Sequence, residues 1–244
     1  MLSERKLKVF KSLQIKKYRQ QERMFMVEGA KGVEESLKST FKVLHLLLTE
    51  TFKNQLEESN IQLQGEVEIV SEKELKSVGI FSSNNAGLAV LEMPEQNILN
   101  FSEGVILVLD NVRDPGNLGT IIRIADWYGV CQIICSKETA DLYNPKVINT
   151  TMGSFTRVNI SYQDLDTFFS KNKMPVYGAL LSGESIYQKE LLQNAVVLMG
   201  NESKGISPQM ESYVDHPIRI PRRGGAESLN VAIATAVVLD NFFR

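Results

Sequence analysis

The chain has 244 residues, 43% of them hydrophobic, with 27 Lys and Arg against 29 Asp and Glu and a formal net charge of −2. That apolar fraction supports a packed core, and the absence of any run of about 18 apolar residues excludes a membrane-spanning helix. The basic start lacks the apolar centre of a secretory signal, so a cytoplasmic protein is expected. The two cysteines, Cys131 and Cys135, sit four residues apart around a predicted strand, too far apart to bridge. Both read as reduced core residues, and with only His45 and His216 elsewhere there is no zinc spacing, so no metal is expected.

Charge is segregated along the chain. Met1 to Lys31 carries nine Lys and Arg against Glu4, Glu22 and Glu28, a net +6 that leaves −8 for the remainder. A local basic segment can hold a phosphate backbone even in an acidic protein. Leu7, Phe10, Leu13 and Ile15 begin a helical apolar stripe, and Met26 to Glu28 opens a further element. VLHLLLT (residues 43–49) and VEIVS (67–71) read as buried strands, SEKELKSVG as a short capped helix, and GLAVLEM (87–93) as a closing strand. MPEQNILNFSEG (93–104), polar and containing Pro94, suits a linker, which places a domain boundary at 98/99.

The second half has a different texture. VILVLD (105–110) is a continuous apolar run, as expected of a strand covered on both faces. A helical stretch, LGTIIRIADWYG, follows, then CQIIC, a loop, VYGALL (176–181), VVLMG (196–200), HPIRI (216–220) and a terminal helix from about Ser228 to Phe243. Alternation of strands and helices predicts an α/β fold with a largely parallel sheet. Leu229, Ile233, Ala236 and Val237 share one face of the last helix.

Ligands of parallel α/β folds bind beyond the carboxyl ends of the strands, which directs attention to three loops. In the first, DNVRDPGNLGTIIR, Asn117 is placed to cap a helix. Arg123 lies nearly two turns further on among isoleucines, where a half-buried guanidinium would need an anion. The second, GNESKGIS, begins at Gly200, and its Gly205 permits a left-handed turn or a close backbone approach. Ser207 and Pro208 read as a helix start. The third, IPRRGGAESLN, sets Arg222 and Arg223 before Ser228, a candidate cap, with Asn230 one step inside the helix. There is no GxGxxG turn, no GxxxxGK[ST] loop and no GxSxG elbow, so hydride transfer, NTP hydrolysis and acyl transfer are poorly supported.

At these loops the sequence resembles the SpoU (TrmH-type) branch of the SPOUT RNA methyltransferases. The matching segments are PGNLGTIIRIAD with Asn117, Gly119 and Arg123, LMGNESKGIS with Gly200, Asn201, Glu202 and Gly205, and IPRRGGAESLNVAIA with Ile220, Pro221, Ser228, Leu229 and Asn230. YNPKVINTTMGSFTRV between them is also family-like. RQQERMFMVEGAKGVEESL is similar to the substrate-binding domain found ahead of many members, itself similar to an RNA-binding fold of ribosomal proteins. Arg222 departs from the apolar residue that many relatives carry there.

The resemblance implies an RNA substrate-binding domain over residues 1–98 and a methyltransferase domain over 99–244 with a deep trefoil knot. It implies S-adenosylmethionine as methyl donor, held at Gly200, Ile220 and Leu229 with Leu180, Asn201 and Ser228 nearby. It also implies a homodimer that would cover the apolar face of the last helix. The acceptor is a ribose 2′-hydroxyl, of rRNA rather than tRNA. Arg123 would stand beside that hydroxyl, with Asn117, Glu202, Ser228 and Asn230 holding it and the loops in register, and Arg19, Arg23, Arg222 and Arg223 as RNA contacts. Because guanidinium stays protonated, Arg123 is expected to stabilise a developing alkoxide and orient an RNA phosphate, not to accept the proton itself. The competing readings are an inactive RNA-binding protein of the same fold and an unrelated α/β enzyme of a phosphorylated metabolite.

Overall fold

A computed structural model describes residues 2–95 and 103–244, so the expected boundary at 98/99 and most of the linker lie outside the described residues. The chain forms two compact units. The first runs to Glu95 and takes in Asp141–Thr156; the second includes the chain up to Ala140 and then Arg157–Arg244.

In the first unit α1 (Glu4–Ser12) starts at Ser3, whose hydroxyl accepts the Lys6 N–H, and buries Phe10. Its stripe ends at Leu13; Ile15 is exposed and stands at the N-cap of α2 (Lys16–Glu22). Then follow β1 (Met24–Glu28), α3 (Ala30–Leu37), β2 (Val43–Leu48), α4 (Glu50–Glu58), β3 (Glu66–Ile69), α5 (Glu72–Val78) and β4 (Gly87–Glu92). The four strands form a sheet in the order β1-β4-β2-β3, with β4 antiparallel to β1 and β2. The helix read from SEKELKSVG is α5, closed by a reciprocal cap between Ser71 and Glu74. Phe10, Leu13, Leu47, Leu75, Leu88 and Val90 share one apolar cluster on this sheet.

Asp141–Thr156 holds the short helix α7 (Pro145–Thr150) and is fastened by aromatic contacts, with Phe25 of β1 4.6 Å from Tyr143 and 5.9 Å from Phe155.

The second unit contains β5 (Val105–Leu109), α6 (Pro115–Trp127), β6 (Gln132–Cys135), β7 (Asn159–Tyr162), α8 (Leu165–Lys171), β8 (Val176–Ser185), β9 (Ala195–Met199), α9 (Pro208–Glu211), β10 (His216–Arg219) and α10 (Val231–Phe243). Its six strands are ordered β10-β8-β9-β5-β6-β7 and every pairing is parallel, so the α/β expectation holds. The stretch between CQIIC and VYGALL is not one loop but α7, β7 and α8, elements too short and too mixed in polarity for periodicity to reveal. Of the two cysteines only Cys135 is in the core, where burial pushes its thiol up; Cys131, just before β6, is exposed.

The last helix begins later than its apolar pattern suggested, at Val231. It is apolar on two faces: Val231, Ala232, Thr235, Val238, Leu239 and Phe242 are buried, while Leu229 just ahead and Ile233 stay half exposed.

Candidate active site

Because the strands of the second unit run parallel, the carboxyl ends of β5, β9 and β10 open on one edge of the sheet, and the loops after them meet there. Three side-chain amides and a carboxylate make the junction. Asn117 on the first turns of α6 donates from Nδ2 to Glu202 Oε1 at 3.1 Å and accepts on Oδ1 from Asn230 Nδ2 at 2.8 Å. Asn201 Nδ2 donates to the Asn111 carbonyl at 2.7 Å and to Glu202 Oε2 at 3.1 Å. Asp110, buried at the end of β5, accepts the Ser207 N–H at 2.7 Å. One chain of hydrogen bonds therefore links positions 110–117, 201–207 and 230.

Glu202 is its hub, accepting also the N–H groups of Arg113 at 3.3 Å and Asp114 at 3.0 Å. Partial burial alone would raise its pKa. The donated hydrogen bonds outweigh that penalty and hold the carboxyl below its ordinary value.

Local sequence explains each loop. Asp114, not Asn117, caps α6: its carboxylate takes the Asn117 N–H at 2.9 Å and Pro115 opens the helix. The acceptor one turn earlier fills the capping role, which frees the Asn117 side chain for Glu202 and Asn230. Likewise Asn230, not Ser228, caps α10, accepting the N–H of Ala232 at 2.9 Å and of Ile233 at 3.3 Å. Its amide nitrogen is left to reach Asn117, so the expectation of Asn230 one step inside the helix is replaced by the N-cap position.

The two glycines of the second loop differ. A Cβ on Gly200 would lie 2.1 Å from the Ile206 nitrogen, so the loop's own backbone at 205–206 packs directly against it. Gly205 instead has φ +70° with open space around it and turns the loop back through paired main-chain bonds with Asn201. Arg123 is exposed, not half-buried: in α6 the isoleucines at 121 and 122 take the core side and turn the guanidinium outward. No residue among those described pairs with it.

Ser228 and Leu229 are exposed beside Asn230, and Leu180 within β8 and Ile220 just beyond β10 are half-buried. Arg222 donates to the Ala226 carbonyl at 3.2 Å, which curls the exposed third loop, and Arg223 is exposed within it.

In the first unit, Arg23 is exposed and reaches the Met93 carbonyl at 3.1 Å. Arg19 is no surface residue. It is 2% exposed, donates to the carbonyls of Leu13 and Gln14 at 2.8 and 2.9 Å, and is ion-paired with Asp141 at 2.6 Å. A guanidinium so enclosed cannot contact RNA, and that expectation is withdrawn. Sequence reading missed Asp110, Asp114 and Asn111; an acid at a strand end followed by Asp-Pro-Gly was the available signal for the first two.

Residues 104–240 match the SpoU rRNA Methylase family, and residues 4–82 match the MRM3-like substrate binding domain. The chain belongs to the SpoU rRNA methylase family. It is 31% identical over 238 residues to the 23S rRNA (guanosine(2553)-2′-O)-methyltransferase RlmP of Bacillus subtilis, spanning 96% of this chain and 94% of that one. A TrmH-family RNA methyltransferase from Porphyromonas gingivalis has the same fold, with a TM-score of 0.88 at 35% identity over 99% of this chain and 98% of that one. So does an AdoMet-bound rRNA methyltransferase from Sinorhizobium meliloti, at 0.86 and 30% over 99% and 95%. Membership bears out the reading of this SpoU chain as an RNA ribose 2′-O-methyltransferase that uses S-adenosylmethionine.

The residues present suit that cofactor. Gly205, Gly224 and Gly225 leave backbone unobstructed, and Leu180, Ile220 and Leu229 are apolar side chains that are half-buried or exposed. Among the described residues no cluster of His, Cys, Asp and Glu would hold a metal, and no helix is long and apolar enough to cross a membrane.

Proposed function

We propose that this SpoU enzyme methylates a ribose 2′-hydroxyl of ribosomal RNA in the cytoplasm. Residues 1–98 would select the RNA and residues 99–244 would carry out the transfer. The observation that carries the assignment of residues is the hydrogen-bonded lattice Asn201–Glu202–Asn117–Asn230, which ties the three motif loops at the carboxyl edge of the sheet.

Gly200, Asn201, Ile220, Ser228 and Leu229, with Leu180, would hold S-adenosylmethionine. When bound, it supplies a methyl group already activated on a sulfonium, so the protein's task is to position and activate the acceptor. Glu202, through Asn117 and the N–H groups of Arg113 and Asp114, fixes the start of α6. That helix presents Arg123 to solvent two turns on, free to meet substrate. The cationic guanidinium of Arg123 stabilises negative charge growing on the 2′-oxygen and draws in an RNA phosphate that shares the departing proton. Arg23, Arg222 and Arg223 are exposed and contact the RNA backbone.

The family resemblance supports a trefoil knot threaded by the C-terminal segment, and the hydrogen bond of Asn230 to Asn117 fastens that segment beside the first motif loop. The exposed Trp127, Ile233 and Phe243 on α6 and α10 offer apolar surface to a second copy and so support a homodimer. Removing the one charged contact of Arg123→Ala should cost about 3 kcal/mol in the barrier, roughly a hundredfold in kcat, with S-adenosylmethionine affinity retained. Near-normal methylation of unmodified rRNA by that variant would reject the role.

A further inference from the structure

The first unit carries a basic elbow that the motif loops do not explain. In α1 the core takes Phe10 and, just beyond, Leu13. Arg5, Lys8 and Lys11, three residues apart, therefore form an exposed row on the other side. Lys16 and Lys17 continue it on the first turn of α2, followed by Tyr18 with 38% of its surface exposed.

Three observations separate this row from an ordinary solvated helix face. First, several lysines of this unit sit on carboxylates, Lys31 on Glu35 at 2.6 Å, Lys42 on Glu92 at 2.6 Å, Lys53 on Glu57 at 3.3 Å and Lys38 on Glu34, although the exposed Lys73 and Lys76 of α5 do not. Arg5, Lys8, Lys11, Lys16 and Lys17 have no such partner among the described residues. Second, Lys16 and Lys17 occupy a helix N-terminus, where the helix dipole opposes positive charge, and α2 has no side-chain cap to offset it. The placement works against the helix, so it serves something other than folding. Third, the elbow is rigid. Buried Arg19 grips the carbonyls of Leu13 and Gln14 at the bend and is anchored in turn by Asp141, so the two helices are held at a set angle before any ligand arrives.

We propose that the α1–α2 elbow is a preorganised docking surface for an RNA phosphate backbone, with Tyr18 as a stacking platform for an unpaired base. The surface rests on the rRNA-methyltransferase reading for its substrate, and it adds residues beyond those of the motif loops. An anionic membrane fits less well: a surface helix needs an apolar face to bury, and here Phe10 and Leu13 are already spent on the core, leaving only Ile15 and Tyr18 exposed on the elbow.

The test uses the full chain and in-vitro-transcribed 23S rRNA as probe. Filter binding between about 50 and 200 mM salt compares it with a variant in which Arg5, Lys8, Lys11, Lys16 and Lys17 are all changed to Gln, a good helix former. Each single-stranded phosphate contact contributes about −0.7 to the slope of log K against log salt, so loss of five flattens it by about 3 to 4. Affinity at the lower salt should fall at least tenfold and KM for RNA rise with it, while thermal unfolding and S-adenosylmethionine affinity report an intact fold. If the five-site variant does not fold, Lys16→Gln/Lys17→Gln is read instead, with a slope change of about 1.4.

Tyr18→Ala should weaken binding roughly fivefold or more, and Tyr18→Phe should restore it. An unchanged slope and affinity overturns the proposal, as does a loss of binding to phosphatidylserine vesicles with RNA binding intact. Failure of the unaltered chain to methylate RNA would instead refute the functional reading, since binding is measured without catalysis.

Discussion

Replacing Glu202 by Gln tests the lattice most directly. Both carboxylate oxygens are acceptors: Oε1 takes the Asp114 N–H and Asn117 Nδ2, and Oε2 takes the Arg113 N–H and Asn201 Nδ2. An amide has only one such oxygen, so two of four donors lose their partner and face another donor. Each charge-assisted bond is worth about 1.5–3 kcal/mol when buried, and about 1 kcal/mol at a half-exposed site where water can substitute. The expected loss is thus about 2 kcal/mol, a fall of about 4–8 °C in the unfolding midpoint of a domain this size.

The pH dependence has a fixed sign. Glu202 has a folded-state pKa below its ordinary value, so its stabilising contribution is complete above the ordinary carboxylate pKa of about 4.3 and disappears as pH falls through the depressed value. Differential scanning calorimetry of the two proteins should show a gap in midpoint at pH 7 that narrows steadily below about pH 4. A gap of equal size at pH 7 and at pH 3 would refute the hydrogen-bond account of Glu202.

The remaining expectations concern other elements. Gly200→Ala forces a methyl group against the Ile206 nitrogen, a clash that no side-chain rotation relieves, and should abolish S-adenosylmethionine binding in calorimetry. Gly205→Ala, with open space but positive φ, should cost only about 1–2 kcal/mol. Arg19→Ala leaves Asp141 without its cation and should lower denaturant stability of the first unit by about 3 kcal/mol. Arg19→Lys should rescue little, since a lysine cannot reach two carbonyls and a carboxylate together. Trp127→Asp combined with Ile233→Asp should shift the protein from dimer to monomer in sedimentation equilibrium; a variant that sediments as the unaltered protein does would rule out the α6–α10 face as the interface.

The sequence by itself settled what depends on local pattern. Continuous apolar runs such as VILVLD and VVLMG sit between α-helical faces in a parallel sheet, and their ends had to carry the ligand loops. Three ordered motifs pointed to the family before any geometry was known. Tertiary structure decided matters that turn on which of two adequate residues wins a position. Asp114 outcompetes Asn117 as a cap, and Asn230 outcompetes Ser228, because each displaced or chosen amide gains a partner from a distant loop, and no local rule weighs a bond across 85 or 113 residues.

The direction of Arg123 followed from which flank of α6 meets the sheet, and a run of isoleucines on both sides of it concealed that. Burial of Arg19 depended on Asp141, some 120 positions away in the chain and part of the same compact unit. Charge content was legible in sequence. Which cations face solvent was not, because helix faces are assigned only when a core exists for one of them to cover.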